Sequence, residues 1–452
     1  MSLTAMDIYQ LLPQTNCGDC GTPTCLAFAM QLANKQASLD DCPHASEEAQ
    51  NELASASQPP IKLVEIGAGE DAVEVGNETV MFRHEETFHH PCGVACRITD
   101  DLDDDELDEK IENINGLWFE RIGEMIGVEL VAVQEVTGDA GRFAQVITRV
   151  LEDSRQTPIL CSEDPDIIAE AFSANADLAD ENPLIYAATA DNYERMAELA
   201  SEYEVPLAVK VEGLEELAEL TPEIKDLGAS DLVLDPGSET PLKAIKDFTQ
   251  IRRQALNNTF RPLGYPIIAF AESDDPHKAV LDASTYVSKY ASVVVVDGDQ
   301  PWQILPILSL RQSLYIDPRV PPAIEAKVYE VGEEVTEDSP VLMTTNFALT
   351  YFTIQSEIEA SRVPCYVVVV DTEGQSVLTA YSAENLSAEI ANEALREFNL
   401  ADLVNHRELV IPGYIAVMSG ALEAESGWNV TVGPREASGI PSFLREFAQN
   451  LG

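Results

Sequence analysis

From Ile61 to about Val320, short apolar runs recur with polar, helix-like stretches between them: Lys62 to Ile66, Leu130 to Val133, Ile159 to Cys161, Leu184 to Ala187, Leu207 to Val211, Leu232 to Leu234, Ile267 to Phe270 and Val293 to Val296. Runs of this length, apolar throughout and followed by segments of helical period, read as buried strands of a parallel sheet. About eight such units over ~250 residues suit a (β/α)8 TIM-like barrel better than an open sheet. Farther on, Pro364 to Asp371, Glu408 to Ile411 and Trp428 to Val432 repeat the pattern and predict a small α/β domain. Its turns, Asp371-Thr372-Glu373-Gly374-Gln375-Ser376, Pro412-Gly413-Tyr414 and Gly433-Pro434-Arg435-Glu436, fall at the carboxyl ends of strands. That is the edge at which open α/β sheets bind ligands.

Two breaks divide the chain. Met1 to Gln10 reads as the start of an amphipathic helix, and a polar helix over Ser46 to Ser57 ends at Pro59-Pro60. Pro318 to Pro322, with two adjacent prolines, is the second break. The expected organisation is therefore α/β throughout, with a cysteine-rich domain over 1–58, a barrel over 59–320 and an α/β domain over 321–452.

Composition narrows the setting. At 45% hydrophobic residues the chain can bury ordinary cores, and its apolar runs are far shorter than the ~20 residues needed to span a bilayer. No basic start followed by a long apolar run opens it, so a soluble cytoplasmic protein is expected. The 79 acidic residues against 27 basic ones leave a formal charge of -52, which repels nucleic acid and offers no basic stripe for phosphate contacts. A dense acidic run, Asp100 to Glu112, reads as a solvated helix start. Self-repulsion on this scale is tolerable where salt is abundant, because at ~1 M the Debye length is about 3 Å. A halophilic cytoplasm is the simplest setting.

Eight cysteines are present, and four fall in the first 42 residues as Cys17-x2-Cys20-x4-Cys25-x16-Cys42. Such bunching in a cytosolic chain points to metal rather than disulfides. Gly18 and Gly21 give the loop backbone freedom to turn amide N–H groups toward bound sulfur. A zinc ribbon usually shows two Cys-x2-Cys knuckles, whereas this spacing is closer to irregular iron-sulfur loops; both metals remain open on spacing alone. Cys92-x3-Cys96, after His89 and His90, could form a second metal pair, although the segment reads as the start of a barrel strand. Cys161 and Cys365 sit in apolar strands as small buried hydrophobes. His277, in Asp275-Pro276-His277, reads as a helix-start surface residue, His44 as a polar neighbour of the cysteines, and His406 as structural. No phosphate-binding Gly-x-x-x-x-Gly-Lys-Ser/Thr loop, Gly-x-Ser-x-Gly elbow or His-Glu-x-x-His helix occurs.

The segment Gln14-Thr15-Asn16-Cys17-Gly18-Asp19-Cys20-Gly21-Thr22-Pro23-Thr24-Cys25-Leu26-Ala27-Phe28, with Lys35 to Pro43, closely resembles the large (gamma) subunit of the corrinoid iron-sulfur protein of the acetyl-CoA decarbonylase/synthase complex. Asn182 to Thr189, Asp247 to Arg253, Thr344 to Phe347 and Gly433 to Glu436 carry the likeness through the rest of the chain. The resemblance implies a corrinoid-dependent methyl carrier, a component of a methyltransferase system. It would move a methyl group between a methylated tetrahydropterin and acetyl-CoA synthase, in the acetyl-CoA pathway, acetate cleavage or methanogenesis. It also implies a 4Fe-4S cluster on Cys17, Cys20, Cys25 and Cys42, and a cobalamin-type corrinoid held base-off. The corrinoid would lie near Thr344, Thr350, Gly374, Gln375, Ser376, Val377 and Gly433, with a small corrinoid-protein subunit as partner. No Asp-x-His-x-x-Gly motif of the kind that supplies a cobalt-binding histidine is present in the tail. The extreme acidity and the His89-His90-Pro91-Cys92 stretch depart from the family pattern. From other classes, an iron-sulfur electron-transfer subunit with a flavin-binding or empty tail, and a zinc-stabilised scaffold, account for the same cysteines.

Overall fold

A computed structural model of the chain describes residues 5–33, 37, 41–46 and 59–451. The helix expected over 46–57 lies, apart from Ser46, outside the described residues, as does Lys35. Near the N-terminus the helices Ala5–Leu11 and Cys25–Ala33 close on a small core of Ile8, Leu12, Phe28 and Ala29, which Cys25 and Cys42 complete. No helix among the described residues is long and apolar enough to cross a membrane.

The expected first barrel strand is a different element. Val64–Ile66 (β1) pairs antiparallel with Val73–Val75 (β2), with Val64 opposite Val75. Its apolar character has another cause: Val64, Ile66, Val73 and Val75 pack with the residues that fill the barrel interior. The barrel begins instead at Gly93–Thr99 (β3). A hairpin of Trp118–Arg121 (β4) and Glu124–Gly127 (β5) follows. Then come Leu130–Gln134 (β6), Thr157–Cys161 (β7), Leu184–Ala188 (β8), Leu207–Lys210 (β9), Leu232–Asp235 (β10), Ile268–Ala271 (β11) and Val293–Val296 (β12). The parallel sheet runs β10-β9-β8-β7-β6-β3-β12-β11, and a parallel bridge between Leu234 and Ile267 closes it, giving the eight-stranded TIM-type barrel.

Local sequence explains the recurrence of strand and helix. Asp139, Asp164, Thr240 and Asp275 accept backbone N–H bonds as N-caps, and proline opens three of the four helices that follow. Asp103 and Glu106 form a capping box at the helix Asp104–Asn115, so the acidic run is a helix start, as its composition suggests. Alternation does the rest. Along β3 and β6, Val94, Cys96, Ile98, Val131 and Val133 face the helices, while Ala95, Leu130 and Ala132 fill the interior. Two ion pairs support the barrel: Arg252 to Glu78 at 3.2 Å, which is buried, and Arg311 to the half-buried Glu129 at 2.7 Å.

Residues 317–452, with the hairpin tip 120–125, form a second compact unit. Its sheet runs β13 (Val328–Val331), β15 (Cys365–Val370), β14 (Val341–Thr345), β16 (Glu408–Ile411) and β17 (Asn429–Val432). All neighbours are parallel except the edge strand β13. Periodicity pointed to β15, β16 and β17. Central β14 ends in two threonines, and β13 is only partly buried, so neither has the long apolar run that marks a parallel strand.

Candidate cofactor sites

The cysteine segment is shaped by left-handed backbone. Gln14, Asn16, Gly18 and Gly21 have φ between 50° and 82°. This turns the Asn16 N–H onto the Cys25 sulfur at 3.4 Å, while the Asn16 side chain accepts from the Cys25 N–H at 2.9 Å. Cys25 opens the helix Cys25–Ala33, whose first turn is held by Thr24: its hydroxyl accepts from the Ala27 N–H at 3.2 Å and its carbonyl from the Phe28 N–H at 3.0 Å. Cys20, Cys25 and Cys42 share the small N-terminal core, whereas Cys17 is exposed. Next to Cys17, His44 Nε2 lies 2.7 Å from Asp19 Oδ2. That bond, and then the one with Cys17, hold the Asp19 carboxyl below its usual range. Among the described residues, Cys17, Asp19 and His44 are the one group of three such ligands within 4.8 Å of each other. Four free thiols, two of them buried, with an amide N–H directed at one sulfur, are a donor set suited to an iron-sulfur cluster.

In the tail, a cavity of about 360 Å³ lies at the carboxyl ends of β14, β16 and β17. Thr350, Ser376, Val377 and Gly433 line it, together with Leu342, Phe347, Leu349, Ile354, Tyr414 and Arg435. Thr344, Gly374 and Gln375 stand outside the lining. Gly374 serves its turn: at φ 70° its N–H donates to Asn346 Oδ1 at 3.0 Å, and an added Cβ would press on Pro321 and Ala323. Asn346, to which sequence reasoning gave no role, holds two strand-end turns together. Its Oδ1 also accepts from the Thr372 N–H, and its amide donates to Asp371 at 2.9 Å. Only its place directly after a strand could have drawn attention to it.

Two loops meet at the cavity's lip. The Gly413 N–H donates to the Pro434 carbonyl at 3.1 Å, and the Gly433 N–H to the Ile411 carbonyl at 2.9 Å. Three buried polar atoms of this unit, Thr344 Oγ1, Thr345 Oγ1 and Gln375 Oε1, lack a hydrogen-bond partner. None of the three belongs to a residue that lines the cavity, so what the cavity offers a large ligand is its apolar strand-end lining.

The barrel carries a second concavity, of about 580 Å³, at the carboxyl ends of its strands. The inward row that is apolar deeper in the barrel turns polar here as Gln134, Tyr186, Lys210 and Asp235. These groups are largely met by one another: the Tyr186 hydroxyl donates to Asp235 at 2.6 Å, and Lys210 pairs with Glu163 at 2.8 Å. Burial pushes the Asp235 carboxyl up, and burial together with the Asp235 charge pushes the Tyr186 hydroxyl up. The alternation of β8 to β10, continued to their last residues, would have found this row.

Burial also raises the Cys92, Cys96 and Cys365 thiols to about 12, and that of Cys161 as well. Fully enclosed among apolar side chains, Cys92 and Cys96 are core residues at the first barrel strand, as the strand reading of this segment expects. His277 is exposed at the first turn of the helix Pro276–Ser288. His406 Nε2 is engaged by the Ser339 carbonyl at 3.0 Å, and its Nδ1 by the Glu408 N–H.

Fold and donor groups define a modular α/β protein in which a thiol-rich segment precedes a TIM-type barrel and an α/β tail with an apolar strand-end cavity. Residues 63–444 match the family model of the CO dehydrogenase/acetyl-CoA synthase delta subunit, and residues 12–44 match an Fe-S cluster model. The chain is 48% identical to the corrinoid/iron-sulfur protein large subunit of Moorella thermoacetica, over 98% of this chain and 99% of that one. It is 37% identical to the acetyl-CoA decarbonylase/synthase complex subunit gamma of Methanopyrus kandleri, over 98% of both, and 35% identical to that of Methanosarcina acetivorans, again over 98% of both. The chain belongs to the family of corrinoid/iron-sulfur protein large subunits and acetyl-CoA decarbonylase/synthase gamma subunits.

Proposed function

We propose that this chain is the large subunit of a corrinoid-dependent methyl carrier that serves a methylated tetrahydropterin donor system at one end and acetyl-CoA synthase at the other. Its units are a cluster domain over 1–58, a barrel over 59–320 and a corrinoid-holding domain over 321–452, working in the cytoplasm beside a small corrinoid-protein subunit. Cys17, Cys20, Cys25 and Cys42 hold one 4Fe-4S cluster. Thr350, Ser376, Val377 and Gly433 contact the corrinoid, while Thr344, Gly374 and Gln375 support the turns around it. When bound, the corrinoid supplies a cobalt centre able to take up and release a methyl group, and the cluster supplies the electron that restores reactive cobalt. What supports the reading most is the apolar strand-end cavity around four of the seven residues that family likeness singles out. Its lining contains no histidine, in keeping with base-off binding.

The test is anaerobic purification with metal analysis and spectroscopy. About four irons per chain are expected, lost in Cys20→Ala, along with cobalt and corrin absorbance. Zinc without iron overturns the cluster assignment. A flavin spectrum without cobalt overturns the carrier assignment in favour of an electron-transfer subunit. The base-off form predicts a Co(II) paramagnetic resonance signal free of nitrogen splitting from a protein side chain, unchanged in His406→Ala.

A further inference from the structure

Arg435 is the one charged side chain in the lining of the tail cavity; it is exposed, and among the described residues its guanidinium is in no ion pair. The adjacent carboxylate is otherwise engaged, since the Tyr414 hydroxyl donates to Glu436 at 3.0 Å. That bond and the Glu436 charge push the Tyr414 hydroxyl up, and Arg435 opposes them, so the guanidinium acts on the same edge of the cavity. Its backbone is well anchored. A Cβ on Gly413 would lie 2.8 Å from the Arg435 nitrogen, which leaves this loop little room to shift.

A second observation has the same sign. The 14-residue helix Ala348–Ser361 begins at the cavity, which Phe347, Leu349 and Thr350 line. It has no side-chain cap and no acidic residue in its first turn. The Pro322 carbonyl takes the Ala348 N–H at 2.9 Å; the next N–H groups of this turn and an unpaired guanidinium both favour negative charge. The rest of the lining is uncharged, so the matching ligand is a largely neutral body with one anionic group.

Resting on the corrinoid reading above, we infer that Arg435 is the counter-ion of the single phosphodiester in the nucleotide loop of a complete corrinoid. It thereby makes the cavity selective for complete corrinoids over those cut back to the ring and its amide arms. A planar fork of N–H donors suits a phosphodiester better than an ammonium does, so Arg435 is a specificity residue rather than a general cation.

The experiment compares binding of cyanocobalamin and dicyanocobinamide, which lacks the nucleotide loop, to the full chain by equilibrium dialysis read from corrin absorbance. Cobalamin should bind more tightly to the wild type. Arg435→Gln should lower cobalamin affinity about fivefold to tenfold and leave cobinamide affinity unchanged, which also shows that the variant is folded. Arg435→Lys should retain part of the preference. Arg396→Gln, the same change of charge outside the lining, should retain all of it. Raising potassium chloride should erode the preference in the wild type and not in Arg435→Gln. The inference is overturned if Arg435→Gln weakens both corrinoids alike or neither. Failure of the wild type to bind either corrinoid overturns the reading of the cavity itself.

Discussion

Replacing Gly413 by alanine should force apart the two loops that form the lip of the tail cavity. The new Cβ would stand 2.6 Å from the Gly433 carbonyl oxygen and 2.8 Å from both the Arg435 nitrogen and the Pro434 carbonyl carbon. Ordinary contact begins at 3.4 Å, so the lip must open by 3.4 − 2.6 = 0.8 Å. No flexible side chain is there to yield, because all three atoms belong to the backbone. Overpacking of this kind costs about 1–3 kcal/mol, and straining the Gly413–Pro434 and Gly433–Ile411 hydrogen bonds adds about 1 kcal/mol. For a unit of this size each kcal/mol lowers the melting temperature by roughly 3–5 °C, so a fall of roughly 6–20 °C in the tail's transition is expected. Calorimetry of the full chain measures it. Gly420→Ala is the comparison: nothing lies within 4 Å of that position, in the helix Ser419–Ser426, and alanine there should be neutral or stabilising by up to about 1 kcal/mol. An unchanged transition in Gly413→Ala, or an equal loss in Gly420→Ala, would refute the steric reasoning.

Other perturbations test other parts of the chain. Arg252→Met leaves Glu78 buried without its cation and should destabilise the barrel unit by about 3–5 kcal/mol, while the double variant with Glu78→Gln should recover part of that loss in urea unfolding. Burial raises the Asp235 carboxyl above its ordinary 3.8, so its contribution to stability is present in acid and is lost as pH rises through the raised value. Asp235→Asn should therefore gain on the wild type as pH increases above about 4, and a pH-independent difference in melting temperature would show that the carboxyl does not titrate this way. With a formal charge of -52, the chain should unfold at lower temperature in dilute buffer than in molar potassium chloride; equal midpoints would remove charge repulsion as a factor.

Much of this protein is determined within short stretches of its sequence. Apolar runs of strand length separated by Asp or Thr caps and prolines make alternating strands and helices, because caps and fixed φ act within one turn of chain. The cysteine spacing points to a shared sulfur site for the same reason, since four cysteines on one short segment need no distant element to be noticed. What only the tertiary structure decided depends on residues far apart in the chain. Lys62 to Ile66 looks like a barrel strand because a plug and a wall of the same interior need the same apolar side chains; only pairing with Val73–Val75 separates the two. Asn346 becomes a clasp only when β14 and β15 lie side by side and bring Thr372 and Gly374 to its amide. The tail cavity likewise exists because the turns after β14, β15, β16 and β17, spread over some ninety residues, converge on one edge of one sheet. Strand alternation tells which side chains share a face, but strand order settles which turns become neighbours, and that order is a property of the packed sheet.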